Sequence, residues 1–355
     1  PSGAVVTRYG HGLRPGEDCG AIEVLEAGHP VPDAASEAAG RRILEVAAAC
    51  RPADRCIALL SGGASSLLVQ PAPGLTLADK QALTRRLLDS GATIGEINTV
   101  RRRLSVIKGG RLARHIAAGE ILLFAISDVP GDHLADIGSG PLTPDPASAA
   151  EARAILDRYR IPLNGAVARV LEELPSTHTA AAVPVSSQMV ACSGTAVEAA
   201  ARAARSAGWQ VRILPEATGP ARAVAGEHAG LVRAARSRGE RVALLSGGET
   251  TVNVASAGGR GGRNGEYLLA LALELGALAG VHALAADTDG IDGTGDSAGA
   301  LLTPDTLARA SEARLDAAAA LSGHGSHDFF AALGDLVVTG PTRTNVNDLR
   351  IILAC

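Results

Sequence analysis

Two loops in this chain share one chemical pattern. Leu59-Leu60-Ser61-Gly62-Gly63-Ala64-Ser65-Ser66 and Leu244-Leu245-Ser246-Gly247-Gly248-Glu249-Thr250-Thr251 each run from an apolar stretch into Ser-Gly-Gly and then small hydroxyl residues. Glycine lets the backbone turn sharply and approach a ligand closely. The N–H groups freed in such a turn, with a helix start behind them, suit an anion. One such loop alone reads equally well as a tight turn. Two, with hydroxyls at matching offsets, point to phosphate or carboxylate binding. The candidate residues are Ser61, Gly62, Gly63, Ser65 and Ser66 in the first loop, and Ser246, Gly247, Gly248, Glu249 and Thr250 in the second.

Two acidic loops follow apolar stretches in the same way. Ser127-Asp128-Val129-Pro130-Gly131-Asp132 comes after Ile121–Ile126, and Asp287-Thr288-Asp289-Gly290-Ile291-Asp292-Gly293 after a stretch ending at Ala286. In parallel sheets ligands sit at the carboxyl ends of strands, where carboxylates commonly hold magnesium against phosphates. Asp128, Asp132, Asp287, Asp289 and Asp292 are therefore candidate metal ligands. The alternative is turn chemistry, since Asp and Gly are turn residues. The second loop loosely resembles a calcium loop but lacks its closing glutamate.

The segment Gly258-Gly259-Arg260-Gly261-Gly262-Arg263-Asn264-Gly265-Glu266 sets two arginines among glycines just before a helical pattern. A guanidinium at a helix start can clamp phosphate or carboxylate with a rigid fork. A solvent loop with incidental arginines would not predict Asn264 and Glu266 in the first helical turn, so Arg263 and Asn264 join the candidate site. Only two lysines occur. Lys108, before Gly109-Gly110, is a candidate anion contact. Lys80, in Ala78-Asp79-Lys80-Gln81, is expected to be solvated. The run Arg101-Arg102-Arg103 reads as a solvated helix face. The segment Gly340–Asp348 offers Thr and Asn donors or a plain turn, and His29 is expected to be structural.

Strands are predicted at Ala4–Thr7, Ile22–Leu25, Ile57–Leu60, Ile121–Ile126, Gln188–Cys192, Val211–Leu214, Val242–Leu245, His282–Ala286, Leu336–Thr339 and Leu349–Leu353. They are apolar on both faces, as buried parallel strands are. Helices are predicted at Ala34–Ala49, Leu77–Ser90, Ala149–Tyr159, Thr195–Ala207, Ala221–Arg236 and Glu266–Leu275, with Asp33 and Thr195 as N-caps. This alternation specifies an α/β fold with mainly parallel sheets flanked by helices. At 355 residues and 46% apolar content the chain can build two cores, since a single one rarely grows past roughly 250–300 residues. The polar break Arg236–Glu240 divides it into domains 1–238 and 239–355.

The net charge of −4, without a long basic run, argues against a nucleic-acid partner. No apolar stretch approaches the roughly 20 residues of a membrane span, and no signal peptide is visible. Five scattered cysteines, without a C-x-x-C pair, suggest neither a disulfide framework nor a zinc site and fit a reducing cytoplasm. The oligomeric state is left open, a homo-oligomer included. Neither a P-loop nor a G-x-G-x-x-G fingerprint is present. The chain starts at Pro1 and its one methionine is Met189, so a fragment or processed chain is expected.

In their order along the chain, the motifs resemble class II glycerate 2-kinases. Asn98-Thr99-Val100-Arg101, Lys108-Gly109-Gly110-Arg111, Ser127–Asp132, Ser139-Gly140-Pro141 and Pro144-Asp145-Pro146 are similar to that family's N-terminal domain. Ser246–Val252, Gly261-Gly262-Arg263-Asn264, Thr288–Gly293 and Thr339-Gly340-Pro341-Thr342 are similar to its C-terminal MOFRL domain. The resemblance runs from about Val5 to about Leu353. It implies ATP-dependent phosphorylation of D-glycerate at the 2-hydroxyl, with ATP and Mg2+, at a site in the cleft between the domains. The family's catalytic arginine falls on Arg263, and Asp128 is the candidate catalytic carboxylate. The family's catalytic lysine lies in a Gly-x-Gly-Lys segment that would precede Pro1, so residues 1–355 alone are expected to be poorly active and prone to associate. Two positions depart from the family pattern: Pro220, where an acidic residue is expected, and Arg343, where glycine is usual. Hydroxypyruvate reduction with a nicotinamide cofactor and non-catalytic small-molecule binding are the alternatives.

Overall fold

In the computed structural model, which describes residues 2–173, 183–252, 259–276 and 278–355, the chain forms two units, Pro1–Val190 and Ala191–Cys355. In the first, β1 (Gly3–Arg8) pairs in parallel with β2 (Ile22–Ala27), and β3 (Arg55–Leu60), β4 (Glu120–Ile126) and β5 (Val185–Ala191) form a second sheet in that order. β3 and β4 are parallel, with Leu60 opposite Ala125. Their carboxyl ends therefore coincide, and the loops after them, 61–66 and 127–132, emerge side by side.

Flanking these strands are α1 (Ala34–Ala48), α2 (Ala64–Leu67), α3 (Leu77–Asp89), α4 (Ile94–Arg103), α5 (Ala149–Arg158) and α6 (Gly165–Glu173). Asp33 caps α1 as expected, accepting the Ser36 N–H at 3.0 Å. Helix α4 has its own capping box, Thr93 with Glu96. It buries Ile97 and Val100 against Leu83 and Leu87 of α3 and Leu156 of α5. Its arginines do not form a solvated face: Arg103 is buried, and Arg101 and Arg102 are half-buried. Lys80, expected in solvent, is buried on α3.

The second unit holds a six-stranded sheet in the order β12-β11-β10-β13-β8-β6. Its strands are β6 (Gln210–Ile213), β8 (Val242–Ser246), β10 (Val281–Asp287), β11 (Gly299–Leu302), β12 (Leu336–Val337) and β13 (Asp348–Ala354), while β7 (Gly219–Pro220) and β9 (Thr250–Thr251) make a small parallel bridge. Helices α7 (Ser193–Ser206), α8 (Ala221–Ser237), α9 (Arg263–Leu275), α10 (Thr306–Glu312), α11 (Ala317–Ser322) and α12 (Ser326–Leu333) complete it. Val224, Val232, Leu268, Leu271, Phe330 and Ile352 share one core.

The α/β character is as expected, but the parallel expectation holds only for part of the molecule. β6–β8 is parallel, whereas β8–β13, β13–β10, β10–β11 and β11–β12 are antiparallel. The connections from β10 to β11 and from β12 to β13 contain no helix, and antiparallel neighbours need none. The boundary expected after 238 falls inside the second unit. Arg236–Glu240 is the turn from α8 to β8, and β6 lies in the sheet beside β8. Helix α7 starts at Ser193 with Cys192 as N-cap, and Thr195 serves from its first turn by accepting the Cys192 N–H. Arg343 has φ +64°, a left-handed conformation in which glycine is least strained. Among the described residues no helix is long and apolar enough to cross a membrane.

Candidate active site

The first unit builds its candidate site at the ends of β3 and β4. Gly63, at φ +78°, turns the chain from β3 into α2. A Cβ on Gly62 would fall 1.6 Å from an Asp128 carboxylate oxygen, so a larger residue there would push the Asp128 side chain aside. Asp128 thus lies against the glycine loop. Asp132 sits in the following turn with φ +55°. Ser65 Oγ is 2.8 Å from Ser139 Oγ, while Ser61 is exposed and Ser66 buried.

Beneath this loop lies Lys108, 1% exposed. Its ammonium donates to the Ser65 carbonyl at 2.7 Å, to Ser65 Oγ at 3.2 Å and to the Leu68 carbonyl at 3.5 Å. Burial, then the Arg101 and Lys80 charges, pull its pKa well below the usual lysine value. Arg101 also donates to the Ser65 carbonyl, at 3.4 Å. Two cations therefore hold one turn of the loop from below.

The second unit centres on Arg263, the first residue of α9. Its Nε donates to Asp348 at 2.9 Å, one terminal nitrogen to Asp287 Oδ2 at 2.6 Å and the other to Glu249. Asp287 ends β10 and Asp348 begins β13. Burial alone would lower the Arg263 pKa, but Asp348, Glu249 and Asp287 outweigh it and raise it. Asp287 is pushed upward by its own burial and by Asp289 and Asp348, against the pull of the Asp289 N–H and Arg263.

Asp348 and Arg350 were not singled out by the sequence. Asp348 Oδ2 accepts from Arg350 at 2.6 Å, and Asp348 Oδ1 from Asn264 Nδ2 at 2.8 Å. Arg350, also 1% exposed, reaches the carbonyls of Gly247 and Gly248 and Thr250 Oγ1. The Ser246–Thr251 loop is therefore held from within. Gly248 takes φ +86° and gives its N–H to Ser193 Oγ at 3.1 Å, so that amide serves the fold rather than a ligand. Ser246 Oγ is buried without a hydrogen-bond partner among the described residues.

Asn264 and Asp292, both expected at the site, are engaged by the fold itself. Asn264 is fully buried and acts on the site through Asp348. Glu266 is buried between Arg222, at 2.7 Å, and His324, also at 2.7 Å. Asp292 accepts the Asn264 N–H at 3.0 Å and the Gly265 N–H at 2.8 Å, which makes it the acceptor for the orphan amides of α9. A Cβ on Gly262 would lie 2.3 Å from that carboxylate, which explains the glycine before Arg263. Gly258 lies outside the described residues. Among the described residues no three His, Cys, Asp or Glu side chains converge as a metal cluster. Of the five expected metal ligands, Asp287 and Asp289 are joined by the Asp289 N–H donating to Asp287 Oδ1 at 3.0 Å.

Residues 1–172 match the model of a domain of unknown function (DUF4147), and residues 242–348 match that of the MOFRL family. A protein of Agrobacterium vitis, named provisionally as a hydroxypyruvate reductase, is 49% identical over 99% of this chain and 81% of its own length. A D-glycerate 2-kinase of Thermotoga maritima is 38% identical over 98% of this chain and 83% of its own. The crystal structure of a Thermotoga maritima glycerate kinase superposes with a TM-score of 0.91 at 36% identity, covering 100% of this chain and 85% of that one.

Proposed function

Since the chain belongs to the glycerate 2-kinase family with its MOFRL domain, we propose that it transfers the γ-phosphate of ATP to the 2-hydroxyl of D-glycerate, releasing ADP and 2-phosphoglycerate. The observation that carries this reading is the setting of Arg263. An arginine has five N–H donors. Three of those of Arg263 are bonded to Asp348, Asp287 and Glu249, which leaves one on each terminal nitrogen. That pair suits two oxygens of one phosphate.

Phosphoryl transfer needs positioning and charge neutralisation more than covalent help. Asp348 and Asp287 fix the plane of the guanidinium before any ligand arrives. Glu249 is the most exposed of its three partners, at 47%, and is the one that yields as phosphate approaches. The Ser61–Ser66 loop of the first unit and the Ser246–Thr251 loop of the second are each suited to an anionic group, of nucleotide or of acid. A magnesium ion carried by nucleotide phosphates needs only one or two protein carboxylates. Asp289, half-buried just after β10, fits that limited role, and the ion would supply neutralisation of phosphate charge; Asp287 does not fit, because Arg263 and the Asp289 N–H already occupy its oxygens. Asp292 does not fit, because Asn264 and Gly265 already occupy its oxygens.

The relatives named for hydroxypyruvate reduction favour a second reading, against which stands the lack of a dinucleotide fingerprint in the sequence. One pair of assays separates the two: ADP release with D-glycerate, the product identified by its direct conversion with enolase, and NADH or NADPH oxidation with hydroxypyruvate. Nicotinamide oxidation without ADP formation would overturn the kinase.

A further inference from the structure

The first unit brings three chain segments together just past the ends of β2, β3 and β4. Those strands end at Ala27, Leu60 and Ile126, and His29, Gly62–Gly63 and Asp128 follow directly. A Cβ on Gly63 would lie 3.2 Å from both Cδ2 and Nε2 of His29, and one on Gly62 would meet the Asp128 carboxylate. Two successive glycines are therefore flanked by an imidazole and a carboxylate. The place is open to solvent: His29 and Ser61 are exposed, and Gly62, Gly63 and Asp128 are half-buried. In α/β sheets, ligands bind outside the carboxyl ends of the strands.

The turn that carries His29 is braced on both sides of it. Asp33 accepts the Gly28 N–H at 3.2 Å while it caps α1. The Tyr9 hydroxyl, just after β1, donates to the same carboxylate at 2.8 Å. Gln81 of α3 donates to the Pro32 carbonyl at 2.7 Å. A Cβ on Gly28 would fall 2.7 Å from the Val31 carbonyl oxygen, so the turn is also tight. The backbone at His29 is thus fixed while the ring stays in solvent against the loop. An exposed ring adds little to a core, so packing does not account for this placement.

We propose that His29 is a catalytic residue, which takes the proton from the hydroxyl of a 2-hydroxy acid held at the Ser61–Ser66 loop. An imidazole has an ordinary pKa of about 6.5, close to neutral pH as a general base requires. The hydroxyl oxygen bonds to the γ-phosphorus of ATP as the bond from that phosphorus to the β–γ bridging oxygen breaks. ADP leaves with the electron pair of that bond. The hydroxyl proton moves to the neutral Nε2 of His29, which later releases it to water. The acid is thereby assigned to the first unit's loop, in keeping with Arg263 of the second unit, whose remaining N–H donors suit a phosphate. The step rests on the kinase reading of the chain.

The first measurement needs no turnover. Imidazole nitrogen spectra are recorded with D-glycerate, and the signals missing in His29→Gln identify His29. Those signals should move as D-glycerate is added. Those of His282, exposed at the far end of β10 from Asp287, should not. The second measurement is kinetics on a chain that also carries the family's N-terminal segment. His29→Gln should lower kcat by about 10²-fold or more. It should also abolish the fall in kcat below about pH 6.5, which a residue of merely structural role would leave in place. Its Tm should match the parent's, because the side chain is exposed, and His282→Gln should leave kcat and its pH profile unchanged. A kcat in His29→Gln within about threefold of the parent, or an acid limb that persists, would overturn the proposal and leave the kinase standing. His29 signals that stay still at a D-glycerate concentration that saturates turnover would overturn it too. No ADP from the parent with D-glycerate would overturn the kinase reading and this step together, so the parent's own turnover tells the two failures apart.

Discussion

Asp287, the last residue of β10, and Asp348, the first of β13, are direct partners across an antiparallel ladder, and Arg263 bonds both. Two like charges placed opposite each other on neighbouring strands destabilise a sheet. Here the repulsion is offset by one guanidinium from a helix start. The strand ends, the helix and the arginine therefore form one electrostatic unit, and removing any member leaves the others with unbalanced charge.

In a chain that also carries the family's N-terminal segment, Arg263→Ala should lower kcat by about 10³-fold or more, the range over which arginines act on phosphoryl-transfer charge. Arg263→Lys should recover little of it, because a point charge cannot meet two carboxylates and a phosphate in one plane. Steady-state kinetics on the folded variants checks this. A loss confined to KM would make Arg263 a binding residue only.

Asp348→Asn should cost more stability than Arg263→Ala. It strips the counter-charge from Arg350, which is 1% exposed, and removing one partner of a buried pair costs about 3–5 kcal/mol. Because Arg350 also holds the Gly247 and Gly248 carbonyls, the nucleotide or acid KM should rise along with the drop in kcat. Denaturant unfolding beside kinetics gives both quantities. A variant as stable as the parent would mean that Asp348 is not the anchor.

Glu249→Gln should behave differently. Glu249 is half exposed, and pairs of that kind contribute only about 0–1 kcal/mol, so stability should barely change. If Glu249 occupies the place a phosphate takes, its neutral form should lower KM for nucleotide by a few fold. A higher KM would show that Glu249 aids binding instead of competing with it.

The strands were legible because Val, Ile and Leu runs such as Ile121–Ile126 and Val242–Leu245 have one use in a folded chain of this size. Their directions in the second unit were not. A strand buried on both faces looks the same in either orientation, and the sequence does not announce that β13 inserts between β8 and β10. Arg263 stood out because glycines surround it. Asp348 and Arg350 did not, since they alternate with apolar residues in an ordinary strand and gain meaning only from the Gly247–Thr250 loop that closes over them. Asn264 was read as a ligand contact, but a buried first helical turn needs polar partners for its own sake. Lys80 was misplaced because Asp79 and Gln81 flank it. Those neighbours face other ways, one toward Thr76 and the other toward the Pro32 carbonyl, and leave the lysine pointing inward.

The last prediction concerns acid stability and His228. Its ring nitrogen Nδ1 lies 2.8 Å from the Tyr267 hydroxyl, and Arg350 lies 5.3 Å from the centre of the Tyr267 ring. Burial, and then the Arg350 charge, push the His228 pKa down to about 4. The folded state thus holds the imidazole neutral, while the unfolded chain takes up a proton near the ordinary value of about 6.5. The unfolded state binds more protons in that window, so stability is full above about 6.5 and falls as the pH drops toward 4. A depression of this size corresponds to about 3 kcal/mol. His228→Phe, which keeps the packing and cannot titrate, should lose some stability at pH 8 through the missing Tyr267 hydrogen bond. It should then lose less than the parent between pH 6.5 and 4. Urea midpoints of both proteins across that range decide the matter, and parallel curves would show that other groups govern acid unfolding.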